Sequence, residues 1–564
     1  MKRCPQCARD YNDDSLSFCL DDGSELLFGP STADEPSTAI IPTASSTDPE
    51  TKIFASDTDK VSVQARNLIS SKSKWAVAGI IGVILVTIFG VGGYWLYVRG
   101  ASKQIESIAV MPFVNESGSA DIEYLSDGMT ETLIGSLSHI PNLYVKPRSS
   151  VFRYKGKDFD LSAIGKELNV QAILTGRVVQ RGDQLTLSLE LVDVQKDNVI
   201  WTEQYIRSPS DLVSLQTEIA RDVSGKLQTR LSGADQQMLA KTYTADPVAY
   251  QFYLKGRYYW NKRTAENIRK AIEQFQSAAD TDPNYALAYA GLADCFVVMG
   301  DYSGTPESET VPKMQAFARR ALEFDNSLAE AHASLAYSYV QTWQWEKGEQ
   351  EYKRAIELNP TYPTAHHWYS LCLIELGRTA EAFAEIKRAQ ELDPLAPVIS
   401  YNVATFDLYL GDVNSSIVES KKVIELDPNF ARTHSSLGLA YLKQQRFTEA
   451  IAELKRAVEL SPNDRQLLRD LGYGYAIAQR RTDALAVINE LEAKYSRQAA
   501  YGADIAGVYG GLGDMDQAFA WLDKDVNARN GRLGRVFYQI PFEEIRRDPR
   551  YADMRRRMGA KPLS

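Results

Sequence analysis

The amino-acid sequence predicts a multidomain chain: a small cysteine-rich head, one transmembrane helix, an α/β domain and an all-α solenoid. Three observations support this prediction. Three of the five cysteines lie in the first nineteen residues, an uncharged apolar run covers residues 75–98, and a short motif recurs through the carboxy-terminal half. At 564 residues the chain is too long for one hydrophobic core, so several domains are expected.

The head, residues 1–25, opens with a Cys-x-x-Cys pair, followed by a polar loop and the run FCLDDG. It resembles the small zinc-ribbon heads of bacterial membrane proteins. Zinc in such sites takes four ligands, usually Cys or His and sometimes Asp, and four protein ligands make the site structural. The predicted zinc ligands are Cys4, Cys7, Cys19 and Asp22. Asp21 could replace Asp22 as the fourth ligand. The alternative to a zinc site is a vestigial knuckle with free thiols.

A tether and an apolar run follow the head. Residues 26–74 are rich in Ser, Thr, Asp and Pro and are predicted to be disordered. Residues 75–98 carry no charge, and as a helix they would be about 36 Å long, enough to cross a bilayer core of about 30 Å. The alternative is a buried helix of a soluble protein. Ala78 and Gly82, four residues apart, suit helix pairing and hence a homodimer.

The charges that flank the apolar run predict its orientation. Arg66, Lys72 and Lys74 precede it, and Arg99 and Lys103 follow it, which favours a cytoplasmic amino terminus. A thiolate metal site also persists most easily in a reducing cytoplasm. We therefore expect an integral, single-pass protein of the bacterial inner membrane, with periplasmic or otherwise extracytoplasmic carboxy-terminal domains.

Residues 105–235 alternate short apolar strands with amphipathic helices, which predicts an α/β domain. The strands are expected in SIAVMPF, LYVKP, VQAILTGRVVQ, QLTLSLELVDV and NVIWTEQY, and the helices in EYLSDGMTETLIGSLSHI, DLSAIGKELN and residues 211–231. These segments resemble the TolB-amino-terminal-like domain. In bacteria that domain accompanies membrane-bound adenylate cyclases, winged-helix activators and kinases, and tetratricopeptide repeats often follow it. The resemblance implies binding of a partner or a signal and no catalytic residue.

A repeat occupies residues 247–529. ELNP, ELDP, ELDP and ELSP place proline at positions 360, 394, 428 and 462, in steps of 34 residues. Thirty-four is the period of the tetratricopeptide repeat (TPR), in which small residues let two antiparallel helices approach and large ones fill the layer between them. About eight repeats are expected, with nine extra residues within YSGTPESETVP of the second repeat and a capping helix in residues 530–564.

The repeat also accounts for the histidines and the two cysteines outside the head. His332, His366 and His434 share one repeat position, and Cys295 and Cys372 share another. A shared repeat position favours packing within the helices over a zinc site, so these residues are predicted to be structural.

The first helices of such repeats line a concave groove. By analogy with the repeat family, an aromatic and polar groove suits an extended peptide or a helix of a protein partner. The predicted groove residues are Tyr258, Asn261, Tyr337, Trp368, Tyr401, Asn402, Tyr409, Arg469 and Tyr473. The alternative for any one of them is packing within the solenoid.

Composition and motifs exclude several classes of function. A net charge of -10 gives no reason to expect a nucleic-acid partner. The sequence has no phosphate-binding G-x-x-x-x-G-K-[ST] loop, kinase catalytic loop or G-x-S-x-G elbow, so an enzyme is not expected. The expected function is a single-pass membrane-anchored protein–protein interaction scaffold. The alternative is a signal-transduction receptor whose extracytoplasmic α/β domain senses a ligand or partner and relays to the head.

The predicted topology can be measured with a reporter enzyme that is active only outside the cytoplasm. Fused to the carboxy terminus, the reporter should be active, because the apolar run would carry the bulk of the chain across the membrane. The control fusion after residue 74 should be inactive. An inactive carboxy-terminal fusion of good abundance would reverse the orientation.

Overall fold

The structure is a computed structural model in two compact units, residues 1–100 and 101–564. It describes three two-residue strands of the first unit, and residues 105–560 of the second with gaps at 120–121, 141, 158–159, 228–232, 234–240, 304 and 532. The first unit contains an antiparallel sheet of order β2-β1-β3. Its strands are β1 Lys2–Arg3, β2 Asp10–Tyr11 and β3 Leu27–Phe28.

Two sequence predictions fall outside the described residues. They are the zinc ligands, Cys4, Cys7, Cys19 and Asp22, and the transmembrane helix at 75–98. Among the helices that the structure does describe, none has both the length and the apolar character needed to cross a bilayer.

A mixed sheet forms the centre of the α/β domain. Its strands are β4 Ser107–Val110, β5 Val114–Asn115, β6 Tyr144–Val145, β7 Ala172–Arg181, β8 Gln184–Asp193 and β9 Asn198–Arg207. The strand order is β6-β4-β7-β8-β9, with β5 paired beside β7. β4 runs parallel to both its neighbours, whereas β7, β8 and β9 form an antiparallel meander. β8 alternates buried leucines with more exposed polar residues, the period of a strand with one face on the core.

Among the described residues, four helices accompany this sheet. They are α1 Glu123–Ser138, α2 Arg148–Phe152, α3 Leu161–Leu168 and α4 Leu212–Lys226. α3 has a local start and stop: the Asp160 carboxylate accepts a hydrogen bond from the backbone N–H of Ser162, and Asn169 ends the helix with a left-handed backbone. The core of the domain continues into the first two repeats, where it includes Leu254 and Tyr285.

Eight antiparallel helix pairs follow, which confirms the predicted helical solenoid beside an α/β domain. The pairs, in order, are α5 Pro247–Asn261 with α6 Ala265–Thr281, α7 Ala286–Ser303 with α8 Glu307–Phe324, α9 Ala329–Gln341 with α10 Trp345–Leu358, α11 Pro363–Glu375 with α12 Thr379–Leu392, α13 Pro397–Tyr409 with α14 Val413–Leu426, α15 Ala431–Lys443 with α16 Phe447–Leu460, α17 Arg465–Ile477 with α18 Arg481–Tyr495, and α19 Gly502–Leu512 with α20 Met515–Asn527. Most of the extra residues of the second repeat lengthen its two helices to 18 residues each.

Residues 530–560 differ from the single capping helix that the sequence suggested. They form three short helices, α21 Leu533–Val536, α22 Glu543–Arg547 and α23 Arg550–Arg557, and a 3₁₀ turn at Ile540–Phe542. Pro541 and Pro549 interrupt the pattern because proline lacks the N–H that a continuous helix needs. The buried rings of Phe537 and Phe542 join the core of the last repeat. We call residues 530–560 the carboxy-terminal segment.

Close helix contact within the first repeat predicts the effect of adding one methyl group. A Cβ atom at Gly256 of α5 would lie 2.5 Å from the buried ring of Phe275. Gly256→Ala should therefore destabilise the fold by about 1–3 kcal/mol through overpacking, less about 1 kcal/mol of improved helix propensity. The midpoint of thermal unfolding measures this effect.

The matched control is Gly225→Ala in α4, where a new Cβ would meet no atom within 4 Å. Better helix propensity alone should raise its midpoint slightly. Equal midpoints for the two variants would contradict the close packing of α5 against α6.

Candidate partner-binding groove

The concave side of the solenoid contains a cavity of about 1130 Å³, which we call the groove cavity. Three parts of the chain line it. The α/β domain contributes α1, α4 and the start of α2, the repeats contribute their first helices and the loops before them, and the carboxy-terminal segment contributes Arg535, Tyr538 and Gln539. The cavity is therefore a feature of the whole second unit and not of the solenoid alone.

A charged network joins α1 of the α/β domain to the first repeats. The Arg257 guanidinium donates from Nε to the Glu131 carboxylate at 2.7 Å, and Asn261 donates to the same carboxylate at 2.6 Å. On its other side Arg257 lies 3.4 Å from Asp294 of α7. Burial alone would lower the pKa of Arg257, but the charge of Glu131 raises it above the usual value. Arg257 thus stays charged between two carboxylates.

The same network extends into the third repeat. Asp294 is 5% exposed, and burial raises the pKa of its carboxyl to about 6 despite the nearby Arg257. Its Oδ1 accepts a hydrogen bond from the Ser334 hydroxyl of α9 at 2.7 Å. Helices of the first three repeats and of the α/β domain are therefore linked through one chain of polar contacts.

A second set of contacts joins the α/β domain to the end of the fourth repeat. The Tyr144 hydroxyl lies within donating distance of the backbone carbonyls of Glu391 and Leu392, at 3.0 and 2.9 Å. Ser149 donates to the Asp393 carboxylate. The α/β domain consequently contacts both repeat 1 and repeat 4, and it lines the groove cavity between these two contacts.

The carboxy-terminal segment occupies part of the concave face. Arg535 donates to the Tyr337 hydroxyl at 3.1 Å and lies 3.6 Å from the Glu375 carboxylate. The Tyr538 ring packs edge-to-face on Phe406, with 5.4 Å between ring centroids. This segment therefore covers part of the inner surface of repeats 3 to 5.

The Glu375 carboxyl is the buried acidic group beneath this segment. It is 1% exposed, and burial raises its pKa from 4.5 to about 7. Arg535 and Arg555 oppose that rise, and the charge of Glu307 adds to it. The backbone carbonyl of Glu375 also accepts a hydrogen bond from Arg555, which is fully buried.

The predicted groove residues divide into two sets. Those that line the groove cavity are Asn261, Tyr337, Trp368, Tyr401 and Asn402. Those that do not line it are Tyr258, Tyr409, Arg469 and Tyr473. Their role in partner binding stays a prediction.

Each residue of the second set lies against the chain itself. Tyr258 packs on the neighbouring Tyr259 ring and on Lys262. Tyr409 and Arg469 contact the carboxy-terminal segment, Arg469 through a 2.6 Å hydrogen bond to Gln539. Tyr473 packs against Gly511 of the last repeat.

Sequence reasoning missed the residues that close the cavity. Glu131, Arg257, Asp294, Glu330 and Arg535 all line it. Their spacing along the chain gives no signal, because the partners belong to different domains. A charged residue within a largely apolar first helix of a repeat, such as Asp294 in α7, was the available hint.

Three histidines tie together the two helices of their repeats. In each, Nδ1 lies within hydrogen-bonding distance of a glutamate of the second helix and Nε2 lies near the backbone carbonyl six residues earlier. The Nδ1 distances are 2.5 Å for His332 and Glu351, 2.6 Å for His366 and Glu385, and 2.7 Å for His434 and Glu453. Within the described part of the chain, no group of three or more His, Cys, Asp or Glu residues is placed to hold a metal ion.

Comparison with known proteins supports the repeats and gives the α/β domain a relative. Tetratricopeptide repeat models match residues 351–384 and 431–464, so the predicted repeat is confirmed. Residues 103–222 match the second domain of HilA/YgeH-like transcriptional regulators. The chain is thus a TPR protein with an α/β domain similar to that regulator domain. The resemblance of the same residues to the TolB-amino-terminal-like domain stays a prediction.

Individual relatives are distant. "Putative adenylate cyclase 3" of Rhizobium meliloti (strain 1021) is 29% identical over 235 residues, which are 41% of this chain and 39% of that protein. This chain therefore spans about two-fifths of the length of the curated relative that it matches.

The solved structures that resemble the chain do so weakly. Pseudomonas aeruginosa PilF is 19% identical with a TM-score of 0.31, and the match covers 38% of this chain and 93% of PilF. The human IFIT1 dimer with m7Gppp-AAAA is 16% identical with a TM-score of 0.38, covering 62% of this chain and 80% of that one. Both scores are below 0.5, so nothing about function follows from them.

Burial of Glu375 predicts a pH-dependent stability. Its pKa is higher in the folded state than in the unfolded state, so its favourable contribution is present below pH 4.5 and is lost as the pH rises through 7. Between pH 5 and pH 8 the wild type should lose about 3 kcal/mol of unfolding free energy relative to Glu375→Gln. Urea unfolding at the two pH values measures the difference.

The control is Glu425→Gln, which removes an exposed carboxylate on α14. It should track the wild type at both pH values. A constant gap between the wild type and Glu375→Gln from pH 5 to pH 8 would show that Glu375 titrates normally.

Proposed function

We propose that this chain is a membrane-anchored scaffold that holds an extended segment of a protein partner in the groove cavity. The observation that carries the proposal is the cavity itself, about 1130 Å³ in volume and lined by the first helices of the repeats. This volume exceeds the range of about 300–1,000 Å³ typical of small-molecule sites. TPR repeats are protein–protein interaction scaffolds, so a protein segment is the fitting occupant.

Aromatic side chains on the cavity wall support this occupant. Trp260, Trp368 and Tyr401 line the wall and are half-buried. The guanidinium groups of Arg257 and Arg263 lie over the Trp260 ring, at 4.4 and 3.5 Å from its centroid. Large rings with a polar edge are the residues that supply most of the affinity in protein interfaces. Asn261 and Asn402 add amide groups that can pair with the backbone of an extended peptide.

The proposed activity is binding without catalysis. The two cysteines of the described residues, Cys295 and Cys372, are buried, and burial raises the pKa of both thiols. A thiol with a raised pKa is a poor nucleophile at neutral pH because the reactive form is the thiolate. These residues fit a structural role.

We extend the proposal to the amino-terminal part of the chain on sequence grounds. Residues 75–98 would anchor the chain in the bacterial inner membrane as one helix, with the head in the cytoplasm, and would allow a homodimer. Cysteines and aspartate of the head would hold one structural zinc ion. No nucleic-acid partner is proposed.

A receptor role is the second candidate function. The observation that favours it is the pair of contacts from the α/β domain to repeat 1 and to repeat 4, at Glu131–Arg257 and at Tyr144–Leu392. An occupant of the groove cavity would touch both the domain and the solenoid. Binding at one would then bias the other, which is the requirement for relaying a signal.

Site-specific photo-crosslinking in cells tests the scaffold function. A benzoylphenylalanine residue at Trp368, inside the cavity, should form an adduct with a defined protein partner. The same residue at Val418, which is 51% exposed and outside the cavity lining, is the control and should give none of that adduct. The mass shift on a denaturing gel and peptide sequencing identify the product.

Two outcomes would count against the scaffold. One is the absence of any adduct at Trp368 and at a second cavity position, Tyr401. The other is the same adducts at Val418 as at Trp368, because contact would then not depend on the groove.

A further inference from the structure

We infer that the groove cavity recognises its partner through a lysine or arginine side chain, which the Glu330 carboxylate and nearby tyrosine rings receive. This inference rests on the proposed function and specifies the chemistry of the partner segment. Glu330 lies in the first turn of α9, lines the cavity and is half-buried.

Glu330 is a carboxylate without a partner of its own. Among the described residues no lysine, arginine or histidine nitrogen lies within 4.0 Å of it, and no side chain or backbone group hydrogen-bonds to it. Half-buried carboxylates are normally paired, because partial burial removes water that would otherwise solvate the charge. The site therefore has the electrostatic requirement of a cation receptor.

Three tyrosines line the same cavity as Glu330. Burial is the main cause of the raised pKa of Tyr243, Tyr253 and Tyr362, and the charge of Glu330 adds to the rise in each. The Lys241 ammonium already lies 5.1 Å from the Tyr243 ring centroid, so Tyr253 and Tyr362 are the rings left for a partner. An ammonium or guanidinium group in the cavity would gain a cation–π contact from such a ring and an ion pair from Glu330.

The same combination already binds an arginine elsewhere in this chain. Arg535 of the carboxy-terminal segment sits 5.1 Å from the Tyr337 ring centroid and 3.6 Å from the Glu375 carboxylate. Tyr337 follows Glu330 by seven residues on α9, two helical turns along one face. The face of α9 therefore accepts a basic side chain at Tyr337, and Glu330 carries matching chemistry further along it.

The remaining charges of the cavity wall favour a basic segment over an acidic one. Six lysines and arginines line the cavity. Five of them, Arg148, Lys241, Arg257, Arg432 and Arg535, form ion pairs with carboxylates of the chain. The sixth, Arg263, lies over the Trp260 ring, 3.5 Å from its centroid. Three lining carboxylates, Glu330, Asp393 and Asp427, have no cation within 4.0 Å among the described residues. An acidic segment would meet this uncompensated negative charge, whereas a basic segment would neutralise it.

Peptide binding to the full chain, purified in detergent because residues 75–98 are predicted to span a membrane, tests the inference. The probe is an array of nonapeptides with varied flanks and a central Lys, Arg, Gln, norleucine or Glu. Peptides with central Lys or Arg should be enriched among the binders. The best Lys peptide and its norleucine counterpart are then labelled, and their dissociation constants are measured by fluorescence anisotropy.

Glu330→Gln should weaken the Lys peptide about tenfold and leave the norleucine peptide unchanged, since only the former carries the charge that Glu330 receives. Glu425→Gln, the same change at an exposed site outside the cavity, should alter neither. Glu330→Asp keeps the charge and should retain most of the preference, which separates loss of charge from loss of fold.

The outcomes distinguish failure of this inference from failure of the proposed scaffold function. Binders without enrichment of Lys or Arg, enrichment of Glu, or an unchanged Lys peptide in Glu330→Gln would overturn the inference and leave peptide binding in the groove intact. Failure of every peptide class to bind the full chain, together with no crosslink from the cavity, would overturn both.

Discussion

The second unit depends on one buried ionic interaction, the Arg257 guanidinium between Glu131 and Asp294. Arg257 has a side chain 18% exposed, and its two partners are 13% and 7% exposed. A buried charge of this kind costs several kcal/mol unless it is paired, so each group is needed by the others. Because the three residues come from the α/β domain, repeat 1 and repeat 2, the interaction fixes the domain against the solenoid. The groove cavity is the space that this arrangement encloses.

The carboxy-terminal segment imposes a second constraint, from the other end of the solenoid. Its buried aromatic rings belong to the core of the last repeat, and its polar groups reach back to Tyr337 and Glu375 in repeats 3 and 4. A segment held by such a core is part of the fold and is not readily displaced. The inner surface near Tyr409 and Arg469 is consequently covered, and a partner can reach the wall between the α/β domain and repeats 1 to 5.

The repeats were predictable from sequence because the pattern that defines each repeat lies within 34 consecutive residues. Each repeat places small and large residues at fixed spacing, so the 34-residue step alone locates helices such as α15 and α16. The strands of the α/β domain followed from alternation and turn signals in the same way. The closure of the cavity could not be predicted, since Arg257 pairs with Glu131 126 residues away and Arg469 with Gln539 70 residues away. Neither pair repeats along the chain, so periodicity carries no information about it.

These two constraints together determine which charges of the groove wall remain for a bound segment. A TPR solenoid without them would present a long concave face on which many segments can lie. Here five of the six lining lysines and arginines form ion pairs, Arg263 lies over the Trp260 ring, and Arg535 of the carboxy-terminal segment pairs with Glu375. Glu330 is left with no cation within 4.0 Å among the described residues, in a cavity that Tyr243, Tyr253 and Tyr362 also line. The preference that we infer for a basic segment follows from this balance. Five of the six lining lysines and arginines are paired, and three lining carboxylates remain for an incoming segment to neutralise.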